Sequence, residues 1–191
     1  MNTLSKKIIP MQTPAYNGHC ITLETVMANA IEVEGLTART LLQLHERFAQ
    51  HHEAAFAFAK MAGAAAEHEA CLQRGWARLK MTPQAYSPIA SQVGLRRQAL
   101  IRTLRQIGET LLGDTPALSD AIQMCFQIID EEEQAVETLI KAIGSPNVLA
   151  QTVINGMPCH KNQDYKAGFF TLARREGLIP CEWADIGGVF E

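Results

Sequence analysis

The sequence has no apolar run approaching the ~20 residues needed to cross a bilayer, so no membrane partner is expected. It is poor in aromatic residues, at 6%, while Ala, Leu, Gln, Glu and Ile recur throughout, a balance that suits helices better than sheets. Charged residues, at 19%, fall below the usual quarter, so long solvated charge runs are scarce. The net charge of −3 argues against an electrostatic nucleic-acid binder. No Cys-x-x-Cys occurs, which excludes zinc-ribbon, rubredoxin-type and thioredoxin-type motifs. The five cysteines, Cys20, Cys71, Cys125, Cys159 and Cys181, are odd in number and irregularly spaced. They describe no disulfide framework, and a reducing cytoplasm is the expected compartment. A phosphate loop, a Gly-x-Ser-x-Gly elbow, a dinucleotide fingerprint and an internal repeat are all missing. Lys6-Lys7 is followed by no apolar stretch, so no signal peptide is expected.

What the sequence does have is helical periodicity. Its 191 residues, 47% hydrophobic, suit one domain with a short appendage. Residues 1–21, with Pro10, Pro14 and Gly18, read as an extended arm. Thr22 can cap a first helix reaching about Gln50, with Leu23, Met27, Ala30, Ala38, Leu41 and Phe48 on one face. A turn near His51-His52 leads to a second helix ending at Gly75, with the stripe Phe58, Met61, Ala65, Leu72 and Trp76. Pro83 and Pro88 break the chain before a third helix, from about Pro88 to Leu112, that turns Val93, Leu100, Leu104, Ile107 and Leu111 inward. Gly113-Asp114-Thr115-Pro116 stops that helix and starts a fourth, which runs to Ile143 before Gly144-Ser145-Pro146. Its stripe is Leu118, Ile122, Cys125, Ile129, Val136, Leu139 and Ile143. Residues 22–143 thus describe an all-α, four-helix bundle with no sheet. Residues 144–191 form an extension with one helix, about Gln163 to Arg175, and enough apolar groups (Phe169, Phe170, Leu172, Ile179, Trp183, Val189) to dock on the bundle or on a second subunit.

Three ionisable residues fall on these apolar stripes. Glu34 continues the line Met27, Ala30, Ala38. His68 lies on the line Met61, Ala65, Leu72, and Glu132 on the line Cys125, Ile129, Val136. A buried carboxylate must be protonated, paired or bound to a cation, because leaving it bare costs several kcal/mol. Two carboxylates and an imidazole meeting in the centre are ligands for iron, manganese or zinc. Each residue also has a plainer reading. His68 can be a hydrogen-bonded core histidine and Glu34 can reach water from the margin of its stripe. Glu132 can belong to a solvated acidic run with Asp130, Glu131 and Glu133.

The stretches Ala30-Ile31-Glu32-Val33-Glu34-Gly35 and Met61-Ala62-Gly63-Ala64-Ala65-Ala66-Glu67-His68 resemble the first two ligand helices of rubrerythrin-like members of the ferritin-like superfamily. That resemblance, over residues 22–143, implies a ferritin-like four-helix bundle. It also implies a two-metal centre built from one Glu on each of two helices and Glu-x-x-His on the other two. Glu34 matches the first Glu, His68 the first His, and Glu132 the second Glu-x-x-His. Ala65 and Ala135 stand where the partner Glu and His belong, and the third helix offers no Glu on its inner line, Arg97 being the nearest charged candidate. An alternative register places Cys125 where a Glu is expected. The expectation is therefore at most one metal ion, held by Glu34, His68 and Glu132, with oxygen- or peroxide-related redox chemistry, or a vestigial site that binds none.

Weaker candidates remain. His51-His52-Glu53 is similar to the His-His-Glu of hemerythrin-like proteins, but Phe56 replaces the acidic residue expected three positions on. His19-Cys20 and Cys159-His160 would suit zinc if arm and tail met. Arg96-Arg97, Arg102 and Arg105 read as a solvated basic face. The competing function is a metal-free helical module that binds a partner or a second copy of itself through an exposed patch around Trp183, Phe169 or Phe170. A homodimer is the expected assembly under either reading.

Overall fold

The computed structural model of the protein describes residues 21–81, 88–89, 91–113, 115–143 and 164–179. Residues 1–20 of the arm, both Cys/His dipeptides and Trp183 lie outside the described residues, while Ile21 is described. Helix α1 spans Leu23–Arg47 and is capped by Thr22, whose Oγ1 accepts from the Thr25 N–H at 3.3 Å. It stops three residues before the expected Gln50 because His51 is needed as the cap of α2, His52–Leu79. The His51 Nδ1 accepts from the Ala54 N–H at 3.3 Å, and a cap residue must leave helical geometry. The expected stop at Gly75 is overridden. An interior glycine costs only ~1 kcal/mol, and the stripe continues through half-buried Trp76 to fully buried Leu79. Helix α3 spans Ser91–Leu112, α4 Leu118–Ile143 and α5 Asp164–Arg175.

Pro88 does not open α3. It sits in β2, Pro88–Ile89, which pairs antiparallel with β1, Ile21–Thr22, in the register Ile21↔Ile89 and Thr22↔Pro88. Two-residue strands make a clasp rather than a sheet, and proline is tolerated where the ladder is this short. The clasp ties the start of α3 to the start of α1. At the opposite ends, the Arg47 guanidinium donates to the Leu111 carbonyl at 2.7 Å and to the Gly113 carbonyl at 3.0 Å. Helices α1 and α3 therefore run the same way. The short turns make α2 antiparallel to α1 and α4 antiparallel to α3.

The packing forms a closed ring. Helix α1 lies against α2 and α3, α3 against α4, and α5 against α2. The ring is completed by Phe126 of α4, which meets Phe169 and Phe170 of α5 with ring centroids 5.1 and 6.0 Å apart. An ion pair between Arg175 and Glu53 fixes the far end of α5 to the start of α2. The tail helix thus fills the seam between α2 and α4. The main core runs from Leu41, Leu44 and Phe58 through Leu100, Leu104 and Leu111 to Ile122, Ile129 and Phe169. A smaller cluster of Leu23, Val26, Met27, Leu72 and Leu79 closes the clasped end. Phe169 is 0% exposed and so is no part of the surface patch that the partner-binding reading expects, while Phe170 is partly buried against the core.

Removing the Phe169 side chain should therefore act as a core truncation. Phe169→Ala is expected to lower stability by about 3 kcal/mol or more in urea unfolding, whereas Leu112→Ala, at a side chain 75% exposed, should cost under about 0.5 kcal/mol. Equal effects of the two substitutions would contradict the docking of α5.

Candidate metal centre

Glu34, His68 and Glu132 come from α1, α2 and α4, and the structure brings them to one point. One donor atom from each lies within 4.8 Å of the other two. Glu34 and His68 are each 4% exposed. Glu132 is half-buried as a residue, with its carboxylate end turned into the cluster. The His68 Nδ1 stands 3.5 Å from the Glu34 Oε2, and the Glu34 and Glu132 carboxyls are hydrogen-bonded to each other. The plainer reading of Glu34 as a marginal carboxylate reaching water does not describe this arrangement, whereas a buried His68 beside Glu34 is compatible with a hydrogen-bonded core histidine.

The other two helices also send charge inward. Arg97 of α3 is 5% exposed and its positive charge acts on both carboxylates. Lys166 of α5 is half-buried and acts on both as well. The basic face expected on α3 is therefore divided. Arg97 is interior, while Arg105 is at the surface and paired with Glu32 at 2.5 Å. A further carboxylate, Glu69 of α2, lies against α1 because residue 35 is glycine. A Cβ there would stand 3.1 Å from the Glu69 carboxyl. Each of the five described helices thus contributes at least one ionisable side chain to this cluster.

Burial dominates the electrostatics. It pushes the Glu34 carboxyl from 4.5 up to about 7, against the hydrogen bond from Glu132 and the pull of Arg97; Glu69 adds to the rise, and Lys166 opposes it. Burial likewise pushes Glu132 up to about 8. The neighbouring Glu34 adds to that rise, while Lys166 and His68 oppose it. Two carboxyls in contact cannot both ionise cheaply, so near neutral pH the pair holds a proton between them. Burial lowers the Arg97 guanidinium to about 10, opposed by both carboxylates, so it stays cationic at neutral pH.

A cavity of about 10 Å³ opens beside the cluster, the space of one water centre. Thr37, Leu41, Ala65, His68, Glu132 and Lys166 are among its walls. Ala65, which stands where the resemblance calls for a glutamate, thus opens onto this space. Among the buried polar atoms without a hydrogen-bond partner are the Glu34 Oε2, the Thr37 Oγ1 and the Arg97 Nε. Such orphans are rare in folded proteins and mark a place where a water or an ion belongs.

The donor set fits a first-row divalent cation. Donors sharing an ion at about 2.0–2.2 Å lie no more than about 4.4 Å apart, so a small side-chain rotation closes the observed set. Two carboxylate oxygens and one imidazole nitrogen suit iron, manganese or zinc. The remaining sequence candidates have other occupations. His51 is a helix cap, His52 is exposed, and Glu53 is exposed and paired with Arg175. Cys125 is buried and outside the donor group, and burial raises its thiol so that it stays neutral. Sequence reasoning overlooked Lys166, Glu69 and Thr37. Lys166 had a readable signal, since it precedes the buried Phe169 and Ala173 by three and seven residues on one helical stripe. Glu69 and Thr37 had none, because their place depends on how α1 and α2 meet. The chain matches no protein-family model, no curated protein and no solved structure.

The raised carboxyls give the stability a pH dependence of definite sign. The folded chain holds protons that the unfolded chain releases above 4.5, so this contribution is complete below 4.5 and is lost as pH rises through about 7 and 8. With a chelator present, the urea midpoint should fall between about pH 5.5 and about pH 9, and Glu132→Gln should flatten the fall. A wild-type midpoint that is flat over that range would contradict the shared-proton pair.

Proposed function

We propose that the protein is a helical-bundle metalloprotein holding one divalent cation through Glu34, His68 and Glu132. The observation that carries this reading is the meeting of three ligand-type donors from three helices, beside a Glu34 Oε2 that has no hydrogen-bond partner. Glu34 and Glu132 would supply charge and His68 a neutral nitrogen, each held on a helix rather than a loop. The ferritin-like resemblance supports the same three positions. The chain path differs from that template, in which a long crossover joins the helix pairs. Here the clasp returns α3 to the end where α2 stops. With Ala65 in place of a glutamate, a single ion per chain is the stoichiometry proposed. Iron bound with an open coordination position would supply reactivity toward dioxygen or peroxide. The protein's own part is to bind the ion, keep bulk water out with Leu41, Met61, Ile128 and Ile129, and yield the proton held between Glu34 and Glu132 as the ion enters.

A second reading has its own observation. Arg97 and Lys166 already oppose the carboxylates, so the cluster can stand without metal as a proton-sharing polar core. The two readings separate in one experiment. Under the metal reading, Fe(II), Mn(II) or Zn(II) raises the melting temperature of the untagged protein by mass action. Glu34→Ala and His68→Ala each remove most of the bound metal measured by elemental analysis. A wild type whose melting temperature ignores all three ions, with metal content equal in both variants, would leave the metal-free reading in place.

A further inference from the structure

A threonine inside a helix commonly turns its hydroxyl back to the carbonyl four residues earlier. Thr110 donates in this way to Gln106 and Thr171 to Ala167, both at 2.9 Å and both at the surface. Thr37 differs. It is 2% exposed, and its hydroxyl has no hydrogen-bond partner among the described residues. A buried hydroxyl left bare is costly, so the surroundings of Thr37 should supply what the helix does not. Thr37 forms part of the wall of the cavity beside the candidate metal centre, with His68 and Glu132. The volume of about 10 Å³ holds one water centre and no more. A buried water needs at least two polar partners. The Thr37 hydroxyl is one. The Glu132 carboxyl is the other, since its bond to Glu34 leaves further acceptor positions on its oxygens. His68 and Lys166 have interactions of their own and are not needed for the count. The apolar walls Leu41, Met61, Ala65, Ile128 and Ile129 confine the space without offering a side-chain hydrogen bond. Glu34 is not among the walls, so the cavity lies beside the point where the three donors meet, on the Thr37 side of it.

We infer that Thr37 seats a single water in this cavity, shared with Glu132, and that this water is a non-protein ligand of the cation. The water seat stands on the cavity and the hydroxyl alone; its role as a ligand rests on the metal-centre reading and adds to it the class of the fourth ligand. A hydroxyl can donate and accept, so Thr37 can hold the same water in both states. Without metal, the water is hydrogen-bonded to the hydroxyl and to a Glu132 oxygen. With a cation on Glu34, His68 and Glu132, a lone pair of the water faces the ion and one of its protons is donated to the Thr37 Oγ1. Thr37 is then a positioning residue. It does not bind the cation, but it fixes the place and slows the exchange of a ligand that does.

The test compares the full chain with Thr37→Val, which keeps the side-chain shape and removes the hydroxyl, and with Thr37→Ser, which keeps the hydroxyl. Crystals grown with a chelator should show one water within about 3.2 Å of the residue 37 hydroxyl and of a Glu132 oxygen in the wild type and in Thr37→Ser, and none in Thr37→Val. The Mn(II)-loaded proteins are then placed in ¹⁷O-enriched water, and the exchange of water bound to the ion is read from the temperature dependence of the ¹⁷O relaxation. Exchange in Thr37→Val should be about tenfold faster than in the wild type, the scale of one hydrogen bond to a charge-bearing group, and Thr37→Ser should restore the slow rate. A wild-type cavity without water, or the same water retained in Thr37→Val, would overturn the inference and leave the metal reading intact. Equal exchange rates in the wild type and Thr37→Val, or an anomalous manganese peak inside the cavity itself, would overturn the ligand role. A wild type that takes up no Mn(II) would overturn the metal reading and the ligand role together, while the crystals grown with chelator would still decide the water seat.

Discussion

Two carboxylates buried against each other set the terms for the rest of this molecule. Neither Glu34 nor Glu132 can be left ionised beside the other without a compensating charge, and both are enclosed by a core that supplies little solvation. The protein meets this with a ring of helices, each of which turns at least one ionisable residue to the same point: α1 Glu34, α2 His68 and Glu69, α3 Arg97, α4 Glu132 and α5 Lys166. Charges of both signs, a titratable proton and a small cavity result from that convergence.

The scaffold explains why the arrangement can be held. The β1–β2 clasp and the Arg47 contacts fix α1 beside α3 at both ends, and the His51 cap sets where α2 begins. The aromatic contact of Phe126 with Phe169 and Phe170 seats α5 in the seam between α2 and α4, which brings Lys166 to the cluster. The tail helix is therefore part of the site as well as of the core. The apolar residues on either side of the cluster, Leu41, Met61, Ile128 and Ile129, keep its dielectric low, so a change in charge state carries a larger free energy than at the surface. Under the proposed metal reading, an entering cation would displace a proton from the carboxyl pair.

Much of this was readable from single residues. An ionisable side chain on an apolar helical stripe is a conflict between local pattern and burial, and that conflict singled out Glu34, His68 and Glu132. Arg97 was readable in the same way, although its neighbours Arg96, Arg102 and Arg105 also suggested a solvated face. Lys166 escaped because α5 is only 12 residues long and its stripe is brief. The direction of α3 could not be read at all. It is decided by a two-residue pairing between Thr22 and Pro88 and between Ile21 and Ile89, which leaves no periodicity in the sequence. The end of α1 shifted because His51, which looked like a metal ligand, is a cap. Gly75, which looked like a stop, is carried through by the burial of Leu79 behind it.

The most direct test is crystallographic. Crystals grown with Mn(II) or Zn(II) should show one anomalous scattering peak per chain, within about 2.0–2.3 Å of oxygens of Glu34 and Glu132 and of a ring nitrogen of His68. A cluster without such a peak at saturating metal, its two carboxyls still hydrogen-bonded to each other beside Arg97, would contradict the central claim.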